Sequence, residues 1–164
     1  DLSKLESGEY QVNARMFNIW ETLTGVALSA EQRINDGMIE LEGLTMDEKV
    51  LVYADPDLIH QVAYNLLDNA IKYGQAGGTI SLTLRRTDRQ ARLLVSNPGD
   101  PIPPDQLGRL FERFYRADAS RGEQSGFGLG LPIAASIATE HKGTLKAESD
   151  QASTRFLFSM PLKK

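Results

Sequence analysis

The sequence predicts an α+β fold, a two-layer α/β sandwich in which helices cover one face of a mixed sheet. Two observations predict it. Segments with the two-residue apolar period of a strand are interspersed with segments that have the 3.6-residue period of a helix. Several strands also follow one another directly, as hairpins, instead of alternating strictly with helices, and that order is typical of α+β proteins.

The first half of the chain is predicted to form two helices separated by short extended segments. The first helix covers residues 18–33, where apolar side chains recur in one stripe at helical spacing. Asp55 and Pro56 begin the second helix, because an acidic N-cap and a proline at the first helical position favour a helix start. This helix ends near Tyr73, before a group of three glycines. Extended segments are predicted over residues 10–16, 38–41 and 50–53.

The second half is predicted to contain four strands, a proline-rich loop and one helix. Residues 97–105 hold four of the seven prolines and are predicted to be loop. A short amphipathic piece over 107–115 and a polar stretch over 116–124 follow this loop. The helix comes after the glycine-rich run 126–130 and ends near His141. The strands are predicted over residues 79–86, 92–96, 144–149 and 154–160.

The composition fits one globular domain and excludes several classes of function. The chain has 164 residues, of which 41% are hydrophobic, so it can bury enough surface to fold without a metal or a disulfide. It has no cysteine, which excludes disulfides, thiolate zinc sites and a cysteine nucleophile. The net charge of -4 disfavours a general nucleic-acid surface, because such domains are usually basic.

One polar stripe on the second helix carries the most informative side chains. At about 100° per residue, Asn65, Asn69 and Lys72 fall within about 60° of one another, opposite the apolar side of the helix. A carboxamide oxygen suits Mg²⁺ that takes its other ligands from water and phosphate, and a lysine ammonium suits phosphate. Taken by itself, the stripe has a solvated helix face as its alternative interpretation.

Three further stretches accompany the stripe, and two of them have a plain structural alternative. Gly126, Gly128 and Gly130 precede an apolar helix and would let backbone N–H groups approach a phosphate, although their spacing fits neither the P-loop nor the dinucleotide fingerprint. Residues 97–103, Asn-Pro-Gly-Asp-Pro-Ile-Pro, are otherwise a rigid turn after a strand. Residues 110–116, Leu-Phe-Glu-Arg-Phe-Tyr-Arg, are otherwise core aromatics with solvated arginines.

Together, and in this order, the four features resemble the catalytic and ATP-binding domain of bacterial sensor histidine kinases, whose superfamily also holds DNA gyrase. Residues 65–73 are similar to the family's N box, and residues 97–103 lie where its first glycine box belongs. Residues 110–116 are similar to the F box, and residues 126–131 to the second glycine box. The resemblance implies the Bergerat type of α/β sandwich.

The resemblance also divides the chain into two parts. Residues 9–164 are expected to be the catalytic and ATP-binding domain. Residues 1–8, Asp-Leu-Ser-Lys-Leu-Glu-Ser-Gly, resemble the tail of the preceding dimerisation helix. The chain is therefore interpreted as a fragment of a longer protein.

The matching boxes imply a site for ATP and Mg²⁺. Asn69 would bind Mg²⁺ with help from Asn65, and Lys72 would meet phosphate. Arg113 and Arg116 would reach toward the γ-phosphate from a lid. Tyr73 would lie against the adenine. The resemblance implies further contacts with the nucleotide from Asn97, Gly99, Ile102, Gly126, Phe127, Gly128, Leu129 and Gly130.

Asn65 helps to choose an activity within the superfamily. Hydrolytic members carry a glutamate general base four residues before the metal-binding asparagine, and an asparagine cannot take a proton from water. The resemblance therefore implies a histidine protein kinase that transfers the γ-phosphoryl group to a partner residue. His60 and His141, the only two histidines, are interpreted as structural, so the phosphoacceptor is expected in the dimerisation domain.

The first glycine box departs from the family pattern Asp-x-Gly-x-Gly. Asn97 replaces the aspartate that accepts a hydrogen bond from the adenine amino group, and Pro101 replaces the second glycine. An asparagine oxygen still accepts this bond, but without the charge assistance that makes such bonds about twice as strong. The variant Ser-Asn-Pro-Gly-x-Pro-Ile-Pro resembles the branch of sensor kinases that responds to heavy metals.

These departures leave other functions open. A nucleotide-binding regulatory module with weak or no kinase activity is the main alternative. A serine kinase that inhibits a sigma factor would share the fold, but the dimerisation tail argues against it. A structural interaction domain would bind no nucleotide.

The resemblance carries expectations for the whole protein. It implies two-component signalling, with ATP and ADP, the protein's own dimerisation domain and a response regulator as partners, and no nucleic acid. The parent protein is expected to be a homodimer anchored in the bacterial inner membrane. The fragment is expected to be cytoplasmic and monomeric.

Overall fold

A mixed sheet with helices on one face forms the fold. The computed structural model describes residues 11–44, 49–75, 77–112 and 130–162. Their strands are β1 (Arg15–Asn18), β2 (Glu40–Glu42), β3 (Leu51–Ala54), β4 (Thr79–Arg86), β5 (Gln90–Asn97), β6 (Thr144–Ser149) and β7 (Thr154–Pro161). Their helices are α1 (Ile19–Ser29), α2 (Glu31–Asp36), α3 (Pro56–Tyr73), α4 (Pro104–Leu107) and α5 (Gly130–Glu140).

The main sheet has five strands in the order β2-β4-β5-β7-β6. β2 pairs with β4 in parallel, and the other neighbouring strands are antiparallel. β1 and β3 form a separate antiparallel pair. The predicted α+β sandwich with a mixed sheet is confirmed.

One hydrophobic core lies between the sheet and the helices. Side chains alternate along β5 and β7, so that every second residue of each strand is buried. α3 is the central helix and packs against both α1 and α5. These two neighbours hold the helix that carries the polar stripe. The largest fully buried side chains include Phe156, Phe158, Ile19, Leu23, Ile59, Leu66, Leu67, Ile80 and Ile137.

The predicted limits of α3 are confirmed, and its start is well capped. The Asp55 carboxylate accepts hydrogen bonds from the backbone N–H groups of Asp57, at 3.0 Å, and Leu58, at 3.3 Å. His141, just after α5, accepts a bond at Nε2 from the Asp55 N–H and makes another through Nδ1 with the Ile137 carbonyl. The ring thus joins the end of α5 to the start of α3, in agreement with the structural role predicted for it.

The prediction of one helix over residues 18–33 is wrong, because the segment divides at Ala30. The backbone of Ala30 leaves the helical conformation, with φ -100° and ψ 5°. One residue earlier, the Ser29 hydroxyl donates to the Val26 carbonyl at 2.7 Å, and such back-bonding by serine competes with the helix ladder and bends helices. α2 begins after this break, with Ile34 buried in the core.

The proline-rich region also differs from its prediction. A short helix, α4, begins at Pro104 inside the predicted loop, where proline suits the first helical position. In the described part of the amphipathic piece predicted over 107–115, Leu107 ends α4 and residues 108–112 form a turn and a bend. Within the described parts of the chain, no helix is both long enough and apolar enough to cross a bilayer.

Substitutions at two glycines test the pairing of β2 with β4 and the exposure of one side of α1. A Cβ on Gly43, which has φ +104°, would overlap the Leu82 carbonyl oxygen, so Gly43→Ala is expected to lower the free energy of unfolding by about 1–3 kcal/mol. Gly25→Ala in α1 is expected to raise it by about 0.5–1 kcal/mol, because alanine favours helix and its Cβ meets no atom within 4 Å. Urea denaturation measures both changes. A Gly43→Ala variant as stable as the unmodified domain would contradict the pairing of β2 with β4.

Candidate functional site

The predicted site residues that the structure describes gather where α3, α5 and the end of β5 meet. Asn65 in α3 reaches the first residue of α5, since its Nδ2 donates to the Gly130 carbonyl at 3.0 Å. At the end of α3, an added Cβ on Gly74 would lie 3.5 Å from the Asn97 side chain in β5. Residues from three distant parts of the sequence therefore form one polar region.

Both polar atoms of the Asn65 side chain bind protein groups. Asn65 is 8% exposed. Its Nδ2 holds Gly130, and its Oδ1 accepts a hydrogen bond from the Gln61 Nε2 at 2.7 Å. In this arrangement Asn65 fixes the start of α5 against α3, and its oxygen is already engaged.

Asn69, one turn further along α3, is the carboxamide available to a ligand. Its side chain is half-buried, and no described residue forms a hydrogen bond with it. A neutral amide oxygen in such a position fits Mg²⁺ when phosphate and water supply the other ligands. The two predicted metal residues thus differ, because the side chain of Asn69 binds no described residue, whereas that of Asn65 binds Gln61 and Gly130.

Lys72 is part of an ion cluster on the same helix. Its Nζ lies 3.2 Å from Asp68 Oδ2, and Arg33 Nη1 in α2 lies 2.8 Å from Asp68 Oδ1. Lys72 was predicted from the sequence, whereas its two partners were not. Asp68 was detectable four residues before Lys72 on a helix, whereas Arg33 lies on a different helix, 35 positions earlier in the sequence.

Asn97 lies at the end of β5, pointing into the core side of the sheet. It is 4% exposed, and its Nδ2 donates to the Pro98 carbonyl at 3.0 Å. No described residue donates a hydrogen bond to its Oδ1. A buried polar atom is normally paired, which makes this oxygen a candidate acceptor for a ligand.

The Thr154 hydroxyl lies beside Asn97 and the Ser149 hydroxyl lies beside Thr154, and neither residue was predicted from the sequence. Thr154 in β7 is directly opposite Asn97 in the antiparallel register, and Ser149 in β6 is opposite Thr154. The hydroxyls of Ser149 and Thr154 are 2.8 Å apart, and the Ile102 N–H donates to Ser149 Oγ at 2.9 Å. Thr154 could have been found, because it falls in the same alternating phase as the buried aromatics of β7.

The loop after β5 packs closely against the backbone at the end of α3. An added Cβ on Gly99 would lie 3.1 Å from the carbonyl oxygen of Tyr73, the last residue of α3. The Pro98 carbonyl accepts a hydrogen bond from Gln75 N–H at 3.0 Å. The loop of the predicted first glycine box is therefore fixed to the end of the predicted N box, with Tyr73 half-buried beside it. Ile102 packs against the core.

An exposed ion pair closes the turn between β6 and β7 at the same end of the sheet. Arg155 Nη2 lies 3.1 Å from Asp150 Oδ2. The hydrogen bond from Arg155, followed by those from the Ser153 and Ala152 N–H groups, lowers the pKa of the Asp150 carboxyl, and the Asp150 hydrogen bond raises the pKa of Arg155. These groups stabilise the turn that carries Ser149 and Thr154.

Most of the remaining predicted site residues lie outside the part of the chain that the structure describes. Arg113, Arg116, Gly126, Phe127, Gly128 and Leu129 lie outside the described residues, as does the predicted dimerisation tail 1–8. In the described start of the F box, Leu110 is buried, and the ring of Phe111 packs edge-on against Phe156 with centroids 6.4 Å apart. The first aromatic of that box therefore belongs to the core.

Comparisons with known proteins identify the family of the chain. Residues 54–164 match the family described as histidine kinase-, DNA gyrase B- and HSP90-like ATPase. The sensor histidine kinase CusS of Escherichia coli K12 is 35% identical over 98% of this chain and 33% of its own length. The probable sensor kinase SilS of Salmonella typhimurium is 44% identical over 68% of this chain and 22% of its own length.

The solved structures lead to the same family. The catalytic domain of the histidine kinase ThkA superposes with a TM-score of 0.82 at 30% identity, covering 93% of this chain and 99% of that domain. This chain spans about a third of the length of CusS. The chain belongs to the histidine kinase-, DNA gyrase B- and HSP90-like ATPase family and is the catalytic, ATP-binding domain of a sensor histidine kinase.

Proposed function

We propose that this domain binds ATP with Mg²⁺ between Asn97 and Asn69 and presents the γ-phosphoryl group to a histidine of an adjacent dimerisation domain. The observation that carries the proposal is the buried Asn97 oxygen, for which no described residue supplies a donor. Asn69 lies five residues before Gly74, which adjoins Asn97, and no described residue binds the Asn69 carboxamide. One end of the region thus offers an acceptor and the other offers a metal ligand.

Asn97 would select the adenine base. Its Oδ1 accepts a hydrogen bond, and the amino group of adenine donates one, whereas guanine and hypoxanthine carry a carbonyl at that position. The Thr154 hydroxyl, opposite Asn97, both donates and accepts and would complete the polar surface around the base. Tyr73 would cover the base from the end of α3.

Asn69 and Lys72 would hold the phosphate end of the nucleotide. Asn69 would ligate Mg²⁺, with a contribution from Asn65 only where Gln61 releases its oxygen. When bound, Mg²⁺ supplies neutralisation of the phosphate charge. Lys72 would add a positive charge, and Arg113 and Arg116 with the glycines 126, 128 and 130 are proposed to complete this end.

The polar groups on α3 favour transfer to a partner over hydrolysis. Asn65 occupies the position of a general base, and a carboxamide does not take a proton from water. The nearby carboxylate, Asp68, has its two oxygens directed to Arg33 and Lys72. No described side chain on the site face of α3 is therefore placed to activate water, and phosphoryl transfer needs mainly positioning and charge neutralisation.

We also propose the wider setting of the protein. A longer protein would carry the phosphoacceptor histidine in a dimerisation domain, form a homodimer, be anchored in the bacterial inner membrane and keep this domain in the cytoplasm. A ThkA structure 28% identical to this chain was solved in complex with the response regulator TrrA, which supports a response regulator as the final acceptor. The loop over residues 96–103 supports a heavy-metal stimulus, because it resembles that branch of sensor kinases.

Phosphotransfer can be measured directly. The domain is mixed with the dimerisation domain of the same protein and with ATP labelled at the γ-phosphate, and acid-labile label on histidine is followed with time. We expect label on the dimerisation domain, at a rate that falls when Lys72 is replaced by alanine. Nucleotide binding without any transfer would contradict kinase activity and favour a regulatory module.

A further inference from the structure

Asp68 lies between two cations from different helices. Its Oδ1 is 2.8 Å from Arg33 Nη1, and its Oδ2 is 3.2 Å from Lys72 Nζ. All three side chains are partly buried, with 38%, 23% and 29% of Arg33, Asp68 and Lys72 exposed. The electrostatic interactions among them are therefore screened less than those of fully exposed charges.

The negative charge of Asp68 reduces the effect of the positive charge that Lys72 presents to a ligand. Asp68 is one helical turn before Lys72 and next to Asn69 in sequence, so it borders the same polar stripe. A carboxylate there attracts the lysine ammonium and repels an approaching phosphate. By itself, it would offset most of the benefit that Lys72 offers to an anionic ligand.

Arg33, which is not on the polar stripe of α3, offsets the negative charge of Asp68. It belongs to α2, whose position is tied to the end of α3. The Gly77 N–H donates to the Gly37 carbonyl at 3.1 Å, and the Glu40 N–H donates to the Gly78 carbonyl at 3.0 Å. Ile34, next to Arg33, is buried. Packing and backbone hydrogen bonds thus position the helix that carries Arg33, and the Arg33 guanidinium contacts Asp68.

We propose that Arg33 is a positioning residue for nucleotide binding, which keeps Asp68 from neutralising Lys72 and leaves the cluster with a net positive charge toward phosphate. This inference rests on the proposed function, because it assumes that Lys72 meets phosphate. Asp68 holds the Lys72 ammonium in the stripe, and Arg33 satisfies the second oxygen of Asp68. The role requires a cation at position 33 and a carboxylate at position 68.

Calorimetric titration with MgATP tests this role. Arg33→Gln is expected to weaken MgATP binding about fivefold, the upper range for a partly exposed ion pair. Arg33→Lys is expected to restore most of the affinity. Arg92→Gln is the matched control, because Arg92 is exposed near the opposite end of β5 from Asn97 and the substitution removes the same charge. It is expected to leave the affinity unchanged.

Two further measurements separate this role from a loss of structure. In an Asp68→Asn background, Arg33→Gln is expected to change MgATP affinity by less than about twofold, because no carboxylate remains to be offset. Adenosine, which has no phosphate, is expected to bind the Arg33→Gln variant as it binds the unmodified domain. Equal losses with and without the Asp68 carboxylate, or a loss of adenosine binding, would overturn the inference.

The same titrations distinguish this inference from the proposed function. If the unmodified domain binds MgATP, and Lys72→Ala weakens that binding while Arg33→Gln behaves like Arg92→Gln, only the role of Arg33 is overturned. If the unmodified domain binds no MgATP, the proposed function fails and the inference fails with it.

Discussion

Replacement of Asn69 with alanine is expected to lower the affinity for ATP in the presence of Mg²⁺ by at least about 100-fold, since a metal that neutralises phosphate is worth several kcal/mol and each 1.4 kcal/mol is tenfold. Asn69 is the one carboxamide on the polar stripe of α3 that binds no described residue. Its removal takes a protein ligand from the metal. The measurement is calorimetry with ATP, with and without Mg²⁺, for both proteins.

The metal dependence makes this result specific. Without Mg²⁺, the unmodified domain and the variant are expected to bind ATP equally weakly, because the missing group acts on the metal alone. Asn35→Ala is the control, since Asn35 is an exposed asparagine on α2. An Asn69→Ala variant that keeps its Mg²⁺ dependence would show that the metal is held elsewhere.

Replacement of Asn97 with leucine is expected to remove the preference of the domain for adenine. Leucine has a similar size but no acceptor, so the buried position keeps its packing and loses the oxygen that faces the base. ATP affinity is expected to fall at least about tenfold, within the range for loss of one partner of a buried hydrogen bond. The measurement is competitive binding of ATP and inosine triphosphate, which differs from ATP in carrying a carbonyl in place of the amino group.

The ratio of the two affinities is the informative quantity. The unmodified domain is expected to prefer ATP over inosine triphosphate, and Asn97→Leu is expected to bind both with equal, low affinity. Thermal unfolding shows whether the variant remains folded. A variant that still prefers ATP would mean that another group, such as the Thr154 hydroxyl, reads the base.

Much of the fold could be predicted because local signals coincide with tertiary packing. α3 begins at an Asp-Pro pair and ends before glycine, and the structure has both limits where they were predicted. The strand pairs of the second half have clear two-residue periods and short turns, which fix their pairing.

The errors fall where tertiary contacts decide the structure. The division at Ala30 has no glycine or proline to mark it, because alanine favours helix, and it depends on how the chain packs against the core. β2 and β3 are close in sequence but belong to different sheets. Their partners, β4 and β1, cannot be inferred from local periodicity.

In the site too, some residues can be grouped from the local sequence and others only from tertiary contacts. Asn65, Asn69 and Lys72 share a helix face, so periodicity alone groups them. Thr154 and Ser149 join Asn97 through the register of three strands, and Arg33 joins Asp68 through the packing of α2. Such contacts come from residues distant in sequence, and no motif spacing indicates them.

Titration of the unmodified domain with ATP and with GTP, each with and without Mg²⁺, tests the central claim most directly. The account predicts that ATP binds, that Mg²⁺ strengthens this binding and that GTP binds more weakly, because its carbonyl would face the Asn97 oxygen. Absence of binding, or equal binding of both nucleotides, would contradict a site built from Asn97 and Asn69.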